Sequence, residues 1–143
     1  AHMTGLTTLA DDSGLEVDAL GGRPGVYSAR FAGAKADDQA NNRKLLEQLA
    51  NTPPVERTAR YRCVIAVATS TTVLFTCAGS VEGVIMAEPR GSNGFGYDPL
   101  FYYPEYGDTF GMVSPDMKDR VSHRSRALAQ FKRLFAEYLS ARA

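Results

Sequence analysis

Two runs rich in β-branched and small apolar residues, 59–69 and 73–86, flank the polar tripeptide Ser70-Thr71-Thr72. Such a pattern predicts a long antiparallel hairpin. Shorter strand candidates lie at 6–10 and 15–17, on either side of Asp11-Asp12-Ser13-Gly14, and around Leu100-Phe101-Tyr102. Helical periodicity is clearest near the C-terminal end. From Ser122 onward, Leu128, Phe131, Leu134, Phe135, Tyr138 and Leu139 recur at helical spacing, while Arg126, Lys132, Arg133 and Glu137 fall elsewhere. Ser122 is the natural N-cap of this helix, which puts His123 and Arg124 in its first turn. A second helix begins at Asp37 or Asp38 and runs to about residue 50, with Ala40, Leu45, Leu46 and Leu49 as its apolar stripe and Pro53-Pro54 beyond its end. Gly21-Gly22-Arg23-Pro24-Gly25 reads as a turn-rich loop, and 89–106, dense in Gly, Pro and aromatics, as a structured one. Strands interleaved with two helices around a long hairpin predict an α/β domain. Its sheet is expected to be mixed and twisted, with flanking helices that include the C-terminal one.

Composition narrows the function classes. A chain of 143 residues, 44% hydrophobic and 22% charged, is globular and long enough to fold as one domain without staples. Lys+Arg and Asp+Glu both number 16, and this zero net charge argues against a nucleic-acid polymer or an anionic membrane as partner. No apolar run is long enough to span a bilayer and no leader pattern is present, so the expected location is the cytoplasm. Cys63 and Cys77 are too few for a disulfide scaffold. Lying at comparable distances from the hairpin turn, they are candidate neighbours that read as reduced packing thiols. Residues 1–3, Ala1-His2-Met3, read as a cloning scar ahead of a single domain at 4–143, which leaves His123 as the histidine with a natural role.

Three places carry more chemistry than packing requires. Adjacent carboxylates at Asp11 and Asp12 repel each other, and a hard divalent cation such as Mg²⁺, bound by one or two carboxylates plus water and phosphate, would relieve that. An Asx-turn is the competing reading of the same four residues. The second place is Gly91-Ser92-Asn93-Gly94-Phe95-Gly96-Tyr97-Asp98-Pro99. Its glycines let backbone amides approach a ligand, Phe95 between two of them can lie flat on a base, and Asp98 can accept from a ribose or a ring N–H. It lacks the Lys-Ser/Thr of a Walker loop and the strand-to-helix setting of a dinucleotide fingerprint. The third is Lys118 with Ser122-His123-Arg124. Cationic side chains in a first helical turn oppose the macrodipole, so they suit a carbonyl or phosphate ligand better than they suit the helix.

Asp11-Asp12-Ser13-Gly14-Leu15, residues 20–33, Gly94-Phe95-Gly96-Tyr97-Asp98-Pro99-Leu100-Phe101 and Ser122-His123-Arg124 followed by Ala127-Leu128 stand in one order along the chain. From about Leu9 onward this sequence resembles the inosine/xanthosine triphosphate pyrophosphatases. The resemblance implies a Mg²⁺-dependent hydrolase that splits ITP, dITP or XTP into monophosphate and pyrophosphate, and it implies a homodimer. It makes Asp12 the general base and a metal carboxylate, with Asp11 assisting the metal and Ser13 touching substrate. It gives Phe95, Gly96, Tyr97 and Asp98 to base and ribose, Lys118 to the substrate, and His123 and Arg124 to the keto edge of the purine.

That family opens with a first strand, a triphosphate-gripping loop, a metal-binding glutamate and a further lysine, all ahead of the Asp-Asp-Ser-Gly block. This chain has none of them before residue 11. The expectation is an N-terminally truncated domain with weak activity or none and an exposed sheet edge that favours self-association. The alternative is a non-catalytic purine-nucleotide-binding module.

Overall fold

In the computed structural model, which describes residues 1–35 and 37–141, the alternation read at 59–69 becomes strand β2 (Thr58–Ala68). Ala59, Tyr61, Cys63, Ile65 and Val67 point to one face of β2 and are buried, while the residues between them are half-buried or exposed. β3 (Val73–Ile85) returns antiparallel beside it, and the turn is closed by Thr69, whose amide donates to the Thr72 carbonyl at 2.9 Å. Cys63 lies opposite Gly79, and Cys77 opposite Ile65. The two cysteines therefore share a face one pair out of register, as two buried free thiols.

The two short strands expected around Asp11-Asp12-Ser13-Gly14 are one. β1 (Thr8–Val17) pairs with β2 without interruption from Thr8↔Ala68 to Val17↔Ala59. Aspartate and glycine have low strand propensity, but a ladder of ten consecutive pairs against a well-formed neighbour outweighs it. The Asx-turn reading falls with this, since all four residues are extended in the ladder.

β4 (Phe101–Tyr103) and the two-residue β5 (Asp108–Thr109) complete a five-stranded sheet of order β1-β2-β3-β4-β5. Each pairing among the described strands is antiparallel, so the mixed character expected of the sheet resolves to an antiparallel meander. Neighbours in space are neighbours in sequence, and no helix has to carry the chain across to a parallel strand. β1 forms one border of the sheet, where its outer edge meets an isolated bridge from Glu16 to Pro24 and the Ser28 hydroxyl, which accepts from the Leu15 amide at 2.8 Å.

The helices cover one face. α1 (Asp38–Gln48) starts at Asp37, whose carboxylate accepts from the Ala40 amide at 2.8 Å, and buries Leu45 together with Leu49 just beyond its end. α2 (Pro115–Val121), unread in the sequence, starts at a Ser114-Pro115 pair that carries the ordinary N-cap and first-position signature. α3 (His123–Ser140) lies across β3 and β2, with Ala127 fully buried and Phe131 and Leu134 packed around Cys63, Ile65 and Cys77. Leu128 and Leu139, expected in its apolar stripe, are 40% and 53% exposed, because the buried face runs through 123, 127, 131 and 134. No helix among the described residues is long and apolar enough to cross a membrane.

The start of α3 rests on Gly79. A Cβ there would come within 2.3 Å of the His123 carbonyl oxygen and 2.4 Å of the Ala127 amide, so only a residue without a side chain lets the helix sit this low. Gly79→Ala is expected to lower stability by about 2–3 kcal/mol through overpacking against backbone, read as a lower urea midpoint at unchanged slope.

Candidate functional site

Three segments distant in sequence meet on the helix-covered side of the sheet: the middle of β1, the loop 94–98, and the junction of α2 and α3. The junction is tight because Ser122 serves both helices. Its amide donates to the Lys118 carbonyl at 2.9 Å, and its hydroxyl accepts from the Ser125 amide at 3.1 Å. One residue separates the helices, so Lys118 at the end of α2 and His123 and Arg124 at the start of α3 point into the same space.

The loop is built around Asp98. This carboxylate is 1% exposed, and its Oδ2 accepts from the Phe95 amide at 2.9 Å and from Lys118 Nζ at 2.5 Å, while Oδ1 has no partner among the described residues. Gly94 has φ +76°, and a Cβ on it would overlap Asp98 Oδ2, so glycine is required there twice over. From the other side Asp38 accepts from the Gly96 amide at 2.6 Å, and Asn42 donates to the Gly96 carbonyl at 2.9 Å. The buried Tyr97 hydroxyl donates to the Ser28 carbonyl at 2.8 Å, and burial pushes that phenol well up. Of the loop residues expected to meet base and ribose, Phe95 is open at 57%, whereas Tyr97 and Asp98 are buried. Asp98 was expected to accept from a ribose or ring N–H. Here it is buried and holds Lys118.

Phe95 stands at a cleft of about 400 Å³ lined by Lys118, Ser122, His123, Arg124 and Leu128, and at a smaller cavity of about 120 Å³ lined by Ser13, Leu15, Ser28, Tyr61, Tyr97 and His123. Lys118 Nζ lies 4.4 Å from its ring centroid and the Arg124 guanidinium carbon 5.9 Å. His123 is 3% exposed, stacks on Tyr61 with centroids 4.9 Å apart, and its Nδ1 is buried without a hydrogen-bond partner among the described residues. Burial first, and then the Arg124 and Lys118 charges, push this imidazole down to about 4, so it is neutral at pH 7. Tyr61 gave no sign of a role in the sequence, since it occupies an ordinary inward position of β2. Its hydroxyl is buried without a hydrogen-bond partner among the described residues, and burial first, then the Asp98 carboxylate, raises it strongly. Asp38 was legible only as a possible cap. Asp37 takes the cap and frees Asp38 for the loop.

The two adjacent carboxylates separate. Asp11 pairs with Ile65 and Asp12 with Val64, and successive strand residues project to opposite faces. Asp11 turns to the covered side, where Arg124 donates from Nε to Oδ2 and from Nη2 to Oδ1, each at 3.1 Å. The guanidinium beside it holds its carboxyl below the usual carboxylate range. Ser13 stays with that pair, its hydroxyl 3.3 Å from Arg124 Nη2. Asp12 turns to the open side, into a cavity of about 230 Å³ lined by Gly14, Glu16, Val26, Arg62 and Val64, with no hydrogen bond or ion pair among the described residues. A three-donor cluster of His, Cys, Asp or Glu is absent among the described residues. Mg²⁺ asks for only one or two carboxylates when phosphate and water complete its shell, and Asp12 fits that part alone. Asp11, engaged with Arg124, does not.

The sequence model of the Ham1 family matches residues 1–134. A curated protein of Desulforamulus reducens described as dITP/XTP pyrophosphatase is 59% identical over 128 residues, covering 90% of this chain and 64% of that protein. One of Geobacter sulfurreducens with the same description is 54% identical over 132 residues, covering 92% and 66%. The chain thus spans about two thirds of the length of the curated relatives it matches. Among solved structures, a HAM1 protein from Coxiella burnetii superposes with a TM-score of 0.89 at 44% identity, covering 96% of this chain and 71% of that one. Matched in sequence over 134 residues and in backbone over nearly its whole length, the chain belongs to the Ham1 family.

Proposed function

We propose that this chain is a nucleoside triphosphate pyrophosphohydrolase for deaminated purines, ITP, dITP and XTP, releasing the monophosphate and pyrophosphate with Mg²⁺. The observation that carries the reading is the set of groups around Phe95: an exposed aromatic face with Arg124 and a neutral His123 at one edge. A purine stacked on Phe95 meets N–H donors at that edge. A 6-oxo group accepts from them, whereas a 6-amino group sets donor against donor and leaves buried groups unsatisfied. Lys118 Nζ stands beside the ring while Asp98 fixes its position.

On the open face the unpartnered Asp12 carboxylate is the chain's own group for phosphoryl chemistry, able to bind a metal and to accept a proton from attacking water. Mg²⁺, when bound, polarises the phosphoryl oxygens and neutralises developing charge. In this reading the chain works in the cytoplasm, which suits its free thiols, and as a homodimer, for which sedimentation at twice the chain mass is the check. The alternative is a purine-nucleotide-binding module without turnover.

Pyrophosphate release separates the two. The expected result is Mg²⁺-dependent turnover of dITP and XTP at least about 100-fold above ATP, abolished in Asp12→Asn. Binding of IMP without any pyrophosphate release would establish the alternative instead.

The neutral state of His123 has its own signature. Its NMR titration should stay flat from pH 8 to 5.5 and turn near pH 4. Because the folded pKa lies below the unfolded value of about 6.5, protons bind the unfolded chain first. The contribution of His123 to stability is complete above that value and is lost as pH falls towards 4. His123→Gln should therefore flatten the fall in melting temperature across this window.

A further inference from the structure

We infer that Asp11 is a positioning residue which holds the Arg124 guanidinium at the mouth of the purine cleft, and that it is not a metal ligand. The inference rests on the functional reading above and assigns Asp11 a part in it. Four contacts surround the carboxylate. Oδ1 meets Arg124 Nη2 at 3.1 Å and the Ser13 hydroxyl at 3.4 Å, and Oδ2 meets Arg124 Nε at 3.1 Å and the Cys63 thiol at 3.3 Å. An ionised carboxylate offers about four lone-pair sites, so these donors use its whole accepting capacity and leave none for a cation. The carboxylate of its neighbour Asp12, one residue along the strand and on the other face, has no partner among the described residues.

The geometry also serves Arg124. Two parallel N–H···O bonds fix a guanidinium in plane, which a single contact to a long side chain does not. Arg124 stands in the first turn of α3, where the helix dipole disfavours a cation, and the carboxylate 113 residues earlier in the chain offsets that. The fork meets Asp11 through Nε and Nη2, which leaves Nη1 without a partner among the described residues, and Arg124 lines the cleft with Phe95 and His123. Those free N–H groups are the donors offered to a 6-oxo purine. The pair is half open to solvent, so its contribution to stability is small. Its value lies in orientation.

The test is calorimetric binding of IMP and AMP to the whole chain, in EDTA and again with Mg²⁺, for the wild type, Asp11→Asn, Arg124→Gln and the double variant. Asp11→Asn should weaken IMP binding about tenfold and reduce the IMP-over-AMP preference by the same factor, in both buffers. The double variant should bind within about twofold of Arg124→Gln, because the two substitutions remove one device. A structural role alone would weaken both nucleotides equally. In the wild type the Arg124 Nε–H resonance should be resolved and protected from exchange, a reading that needs no variant. An unchanged preference in Asp11→Asn, a loss seen only with Mg²⁺, additive effects in the double variant, or an unprotected Nε–H would each overturn the assignment of Asp11. A wild-type chain that binds neither nucleotide would overturn the functional reading, and the positioning role with it.

Discussion

Ten consecutive residues of β1 pair with β2, and the strand period of two sends Asp11 and Asp12 to opposite faces of the sheet. A shift of one residue would exchange them, and would also carry Leu15 and Val17 out of the core. The same register therefore secures the hydrophobic interior and divides the two acids between two tasks. One meets an arginine on the covered side. The other faces open space beside Glu16, Arg62 and Val64.

The second dependence is the buried pair of Asp98 and Lys118, with side chains only 1% and 10% exposed. Such a pair gains little net stability, since both charges are desolvated, yet removing one partner costs about 3–5 kcal/mol because the other is left alone. Its consequence here is geometric. Asp98 ties the Phe95 amide and the end of α2 to one point, so the exposed ring and the cation beside it move as a unit. Gly94 and Gly79 are the spaces that allow this, one under the loop and one under the first turn of α3.

Much of this was legible in the sequence. The hairpin of β2 and β3 and the helices α1 and α3 follow from alternation, helical spacing and their caps, whereas Phe95 was joined to Lys118, His123 and Arg124 only by the family resemblance. What escaped depended on partners distant in sequence. Asp11 and Asp12 look alike in a string of letters, and only pairing with β2 tells them apart. The burial of Asp98 against Lys118 likewise depends on a partner twenty residues away. Tyr61 is indistinguishable from a core tyrosine without His123 stacked on it. The antiparallel order of the sheet likewise depends on β4 and β5, which total five residues and carry almost no periodic signal.

The central claim is that a purine settles on the helix-covered side, against Phe95, between the loop 94–98 and the start of α3. Amide chemical-shift mapping of the chain titrated with IMP tests it most directly. The account predicts the largest shifts at Gly94, Phe95, Gly96, His123 and Arg124, with Arg60, Arg62 and Ser80 on the open face unmoved. Shifts centred on Arg60, Arg62 and Ser80, with Phe95 and His123 unchanged, would contradict it.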